Sequence, residues 1–387
     1  MLKIDSVRNH LSGITLVSYL ASPIDNIWNF PFVSTIPVLT LSLLIASLGK
    51  MLIIKTLVLF LIYFWLGALT LMVLSFYSVK SALAISFFLV LFYKDFSLDG
   101  QLIHKYLKTI CITFFSLMIV SVIDNPNLYL DFLKQLNLLF FLDKGIDAYI
   151  VNSAIKFQWI FGDAKAAQKI FTGITLFLPF FLWIMLSFYM KNQRLFTVII
   201  CFIPFLVLFS RSAVVFLLIY IFAKKEAYRA FVLSGVIICS FIFYYLAYTY
   251  FPELLRGRNI IIQHIFSYEI NMFFGSGPGF WQGSLENEAG HGSLHNIFLE
   301  WFLAYGVIGS MFTVLLIILC YFKNKSPSLL LGLTFLISFG LFNFNIAEIA
   351  FLGVGALITK IDPTRKENKT IKIQNREQFS DSAKNYV

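Results

Sequence analysis

"HNIFLEWFLAYGVIGSMFTVLLIILCYFKNK", residues 295–325, runs from a histidine-asparagine pair through a long apolar stretch to a basic stop. The apolar part, 296–322, exceeds the roughly 20 helical residues that a bilayer core requires. It reads as a membrane-crossing helix. Similar runs recur at about 11–22, 32–48, 54–77, 81–93, 107–123, 170–190, 195–209, 212–223, 230–250, 327–342 and 345–359. The weakest is 11–22, which Pro23 and Asp25 interrupt.

Composition agrees with a chain solvated by lipid. Of 387 residues 59% are hydrophobic and 13% charged, whereas soluble domains carry about a quarter charged residues. The 45 phenylalanines and 18 tyrosines suit a helical bundle with lipid-facing and interfacial aromatics. The expected fold is therefore an all-α integral membrane protein of about twelve crossings (ten to twelve), a single domain over residues 1–360.

The net charge of +10 is scattered through short connections rather than gathered for nucleic acid. Basic residues cluster at Lys50/Lys55, Lys94/Lys105/Lys108, Lys191/Arg194, Lys224/Lys225/Arg229, Lys323/Lys325 and from Lys360 onward. With twelve crossings all of these fall on the side of both termini, as the positive-inside rule requires of a cytoplasmic face. Two long loops, about 124–169 and 251–295, then face the opposite, extracytoplasmic side, and 361–387 forms a polar cytoplasmic tail. The first loop carries "NLYLDFLKQLNLLFFLDKGID", either an amphipathic helix in the interface or a cap over the bundle. The four cysteines lie in apolar runs, so neither a disulfide framework nor a metal cluster is implied. No metal site and no cofactor is expected.

Polar chemistry gathers in the second loop. Three of the five histidines (His264, His291, His295) lie there with Arg256, Arg258, Glu253, Glu269, Glu286, Glu288 and the turn-rich "FFGSGPGFWQG". A solvated surface would account for any one of these glutamates. His295 stands apart because it opens the helix. At 100° per residue, Gly306 and Gly309 return to within about 20° and 40° of its face. Small residues on such a stripe let a neighbouring helix approach closely. The histidine then either faces an inner cavity or sits at the interface above ordinary packing.

Arg211, in "VLFSRSAVVFLL", divides the apolar run between Arg194 and Lys224. A single tilted helix would hold an arginine near mid-membrane, at considerable cost. A hairpin with its tip at Ser210-Arg211 puts it instead on the side of His295. A neutral imidazole can accept a proton from a hydroxyl, and guanidinium forks bind phosphate oxygens. Together they suit attack of a sugar hydroxyl on a carbon bearing a diphosphate leaving group, with arginines balancing the departing charge.

At these residues the chain resembles the O-antigen ligase and polymerase superfamily. "HNIFLEWFLAYGVIG" fits the signature His-[Asn/Ser/Gln]-x9-Gly-x-x-Gly, preceded in order by "FSRSA" and "RGRNIIIQHIF…FFGSGPGFW". The likeness covers roughly 195–322; the N-terminal half is similar only in hydropathy. It implies a metal-independent, inverting glycosyltransferase with a C-like glycosyltransferase architecture in the bacterial inner membrane. Undecaprenyl-diphosphate-linked oligosaccharides would be its substrates at the periplasmic face, and a polysaccharide chain-length regulator its partner.

By position, the resemblance makes His295 the general base or acceptor-orienting residue and Arg211 a diphosphate ligand. Arg258 or Arg256, with Asn296, would bind substrate, and Gly306 and Gly309 would pack. Glu300 after the pair looks more similar to the polymerase variety than to the ligase that transfers polymer to lipid A-core. A polyprenyl-glycan flippase is the rival of another class. It predicts repeat symmetry and mid-depth charges along several helices, whereas here the ionisable residues gather at helix ends.

Overall fold

The computed structural model describes residues 2–21, 32–71, 76–94, 96–124, part of 179–190, 271–280, 294, 296–323, 328–340 and 348–362. These residues are mostly helical. The helices are α1 (Leu2–Ala21), α2 (Phe32–Ser47), α3 (Lys50–Leu71), α4 (Phe76–Tyr93), α5 (Gly100–Asp124), α6 (Ile297–Lys323), α7 (Leu329–Gly340) and α8 (Ile349–Ile358). Among the described residues, β structure is confined to a two-residue parallel pair. β1 (Leu98–Asp99) lies beside β2 (Ile361–Asp362), with Leu98 opposite Ile361.

Among the described residues three helices, α3, α4 and α6, are long and apolar enough to cross a membrane. They differ in what they face. Two thirds of α4 is buried, against 17% of the α3 span and 33% of α6, so α4 is the interior post. Its small residues Ser78, Ser81, Ala82, Ala84 and Ser86 are buried and let α3 and α8 pack closely against it. The outer faces of α3 and α6 keep Leu57, Trp65, Leu69, Met311, Val314 and Phe322 exposed, as contact with lipid tails allows. Two hydroxyl contacts link helices inside the bundle. Thr15 of α1 donates to Thr40 of α2 at 2.6 Å, and the hydroxyls of Tyr63 (α3) and Thr313 (α6) bond each other.

Helices successive in the chain alternate in direction, which gives the bundle two ends. One collects the starts of α1, α3 and α5 and the finishes of α2, α4, α6 and α8. Arg8 pairs with Asp5 at 3.4 Å and donates to the Ser47 carbonyl. Lys323 Nζ donates to the Tyr93 hydroxyl at 2.8 Å, and Lys55 Nζ lies 4.5 Å from the same ring's centre. Leu98 N–H donates to Lys360 O at 2.7 Å. This is the basic end. At the far end, Gly340, finishing α7, lies against Ile297 and Phe298, which start α6.

Several boundaries differ from the sequence reading, and three of them bear on the basic end. α1 begins at Leu2 rather than near residue 11, because its polar first turns are held at the basic end by Arg8 and Asn9. α5 begins at Gly100 rather than near 107. Asp99 Oδ1 accepts the N–H groups of Gln101 (2.9 Å) and Leu102 (3.3 Å) and caps it, which places Lys105 and Lys108 on the helix. The tail does not begin at 361, since Ile361 is 3% exposed and is paired in β2.

A broken helix and its wedge at the candidate site

Asn296 starts α6. Its Oδ1 accepts the backbone N–H groups of Phe298 at 3.1 Å and Leu299 at 3.0 Å, satisfying two of the donors that every helix start leaves open. One turn on, Glu300 is fully buried, and its Oε1 accepts the N–H of Leu294 at 3.0 Å. A carboxylate here is also favoured by the helix dipole.

The helix then breaks. Gly306 has φ 63° and ψ −167°, a conformation open essentially to glycine alone. In an unbroken helix Val307 would donate to Leu303 and Ile308 to Ala304. Instead Val307 N–H donates to Met272 O (2.9 Å) and Ile308 N–H to Phe273 O (3.1 Å). The released carbonyls of Leu303 and Ala304 accept from Ser276 N–H (2.8 Å) and Gly277 N–H (3.1 Å). Segment 271–280 is thus wedged into the helix and takes both sides of two interrupted rungs. The break lies about 14 Å along α6 from its start.

Why this segment can sit there follows from its amides. Phe273 and Phe274 N–H donate to Asn271 Oδ1, each at 3.1 Å, and Gly275 N–H donates to Asn271 O at 2.7 Å. Ser276 and Gly277 are satisfied by α6, and Pro278 has no N–H. Every backbone donor from 273 to 278 is accounted for, as irregular backbone among apolar helices requires. Gly275 has φ 80°, and a Cβ there would collide with the Ala304 carbonyl. On its other side the wedge meets α3 and α4: Pro278 packs where a Cβ on Gly67 would stand, and Gly279 lies against the Tyr77 ring.

The structure therefore changes the reading of the two glycines. What reaches Gly306 is loop backbone, the Phe273 carbonyl and Gly275 amide, rather than a neighbouring helix. The break also ends the helical phase that aligned Gly306 and Gly309 with residue 295. Gly309 instead lies under the side chain of Tyr305, with Leu66 of α3 beyond it. Nor is all of 251–295 a solvated loop, since 275, 277 and 278 are buried.

Asn296 is present as a cap, so contact with a substrate would fall to its Nδ2. His295, Arg211, Arg256 and Arg258 lie outside the described residues, although both chain neighbours of His295 are described. Two other histidines join helices at the basic end. His10 Nδ1 is 3.0 Å from the Tyr106 hydroxyl, and His104 Nε2 accepts from Trp183 Nε1 at 3.1 Å. Sequence reasoning passed over Asn271, whose side chain folds the wedge; an asparagine two residues ahead of the amides it accepts is the readable signal. Among the described residues no group of three or more His, Cys, Asp and Glu could hold a metal ion. The chain matches no family model, no curated protein and no solved structure.

Proposed function

We propose that the protein is a membrane glycosyltransferase of the O-antigen polymerase type. It would join undecaprenyl-diphosphate-linked repeat units at the periplasmic face of the inner membrane, with His295 as the base and Arg211 and Arg258 or Arg256 on the diphosphate. The observation that carries this reading is the joining of two of its motif segments. The Gly-x-Gly turn of "FFGSGPGFW" is seated in the helix that the His-Asn pair opens, so residues far apart in the chain share one rigid end of the bundle.

The helix directions support the topology proposed with it. Twelve alternating crossings with both termini on one side would set α1–α5 and α6–α8 in the directions observed, and put Lys55, Lys323 and Lys360 together on the cytoplasmic face. In the reaction, an acceptor sugar hydroxyl loses its proton to the imidazole of His295. Its oxygen bonds to the anomeric carbon of the donor, and the lipid diphosphate leaves with its charge balanced by arginine.

The broken α6 favours the transport reading, because discontinuous helices build mid-membrane sites in transporters. Here, however, the donors and acceptors of two broken rungs are taken by 272–277.

Reconstitution with lipid-linked repeat units extracted from cells lacking the gene tests the proposal. Wild-type protein is expected to lengthen them, with activity surviving exhaustive chelation. No lengthening, or a strict need for added magnesium or manganese, sinks it. Gene deletion separates the alternatives: single repeat units on core indicate a polymerase, and bare core a ligase.

A further inference from the structure

Glu300 pays for its burial by what it holds. A carboxylate gains from the helix dipole while still in water, and taking one out of water requires hydrogen bonds in return. One of those bonds runs six residues back, to the N–H of Leu294, itself 4% exposed. It therefore does not serve the helix's own ladder. It ties down the chain just before the helix, while Asn296 Oδ1 fixes the first turn just after. The residue between these two anchorages is His295. Below them, the first half of α6 is short, 297–305, and ends on the wedge at Gly306.

The geometry points to Glu300 as a positioning residue for His295. By holding the Leu294 amide it sets how the chain enters α6, one residue ahead of His295 in the sequence. It takes no proton and touches no substrate. This rests on the reading of His295 as the base. The bond to Leu294 asks for an acceptor at Oε1, which a glutamine side chain also supplies.

The test compares Glu300→Ala, Glu300→Gln and His295→Ala in full-length protein reconstituted with the extracted lipid-linked repeat units, with rates expressed per folded protein. Backbone amide exchange over 292–297 is followed in each. Glu300→Ala is expected to lower kcat on the order of tenfold to a hundredfold, leave KM within about twofold, and speed exchange at Leu294. Glu300→Gln is expected to restore most of the rate and the slow exchange.

Unchanged kcat in Glu300→Ala, beside a dead His295→Ala, overturns this proposal and leaves the transferase reading standing. Equal loss in the alanine and glutamine variants also overturns it, since the charge and not the tie would then matter. Full activity in His295→Ala overturns the transferase reading itself, and this inference with it.

Discussion

At the basic end, side chains join the helices beside the short backbone pairing of β1 with β2: Arg8 to Ser47, Lys323 to Tyr93, Asn9 to the Asp99 amide. At the far end, main chain does so, with four backbone bonds between 272–277 and the broken α6. The difference matters for precision. A lysine has many rotamers and an exposed partner, so its joint can shift by ångströms at little cost. A backbone rung has no rotamer to change. Transfer chemistry depends steeply on placement, about a hundredfold for an ångström, and the motif residues lead into the end that cannot slip.

The sharpest way to break this contrast is to exchange histidines between ends. His295→Ala and Arg211→Ala are each expected to reduce chain extension by at least about a hundredfold, the usual span for a general base or a charge-stabilising donor. His10→Ala, at the basic end, is expected to leave it within about twofold. Product length on a gel, with membrane protein levels matched, reads both. Long glycan from the His295 variant would remove the far end's claim to the chemistry.

Glycines give the next largest effect. Gly49 joins α2 to α3 at the basic end with φ 109°, and a Cβ there would meet nothing within 4 Å. Gly49→Ala therefore carries only a backbone penalty, about 1–2 kcal/mol. Gly306→Ala carries about 1–3 kcal/mol of backbone strain plus collision with the Phe273 carbonyl. Its melting temperature in detergent is expected to fall well below that of Gly49→Ala, with activity lost. Equal melting temperatures would mean that the wedge is not seated as described.

The same contrast explains what the sequence revealed. α2 follows its apolar run to within a residue, because a helix facing lipid must stay apolar along its length, whereas α3 and α4 start four and five residues ahead of theirs. α1 and α5 outrun theirs at the basic end, where turns in reach of polar partners need no apolar residues. The break at Gly306 was hidden for another reason. Gly-x-x-Gly spacing is shared by helix-packing stripes and by glycines chosen for positive φ, and only the partner segment distinguishes them. Asn296 was legible as a position of interest, but its capping bonds depend on where the helix starts.

A smaller effect is expected at that cap. Asn296→Ala removes the acceptor for the Phe298 and Leu299 amides and should cost about 1 kcal/mol, with amide exchange rising in the first turn of α6 while α7 and α8 are unaffected. Asn296→Asp, which keeps the acceptor, should restore it. Loss of activity in Asn296→Asp without loss of protection would assign Nδ2 a direct part in binding.

The smallest effect belongs to the basic end itself. Lys323→Ala removes the bond to Tyr93, yet its side chain is exposed, so the yield of folded protein should change by no more than about twofold. In the topology proposed above its charge would act in another way, as one of several that hold this end on the cytoplasmic side. Removing Lys323 alone leaves Lys55, Lys325 and Lys360, and a cysteine at Ser284 should still label from the periplasm. Removing Lys55, Lys323 and Lys325 together should reduce that labelling while Lys55→Arg/Lys323→Arg leaves it intact, because the topology signal counts charges and not bonds. If the single variant lowered labelling as much as the triple, the basic end would depend on particular contacts after all, and the distinction drawn between the two ends would fail there first.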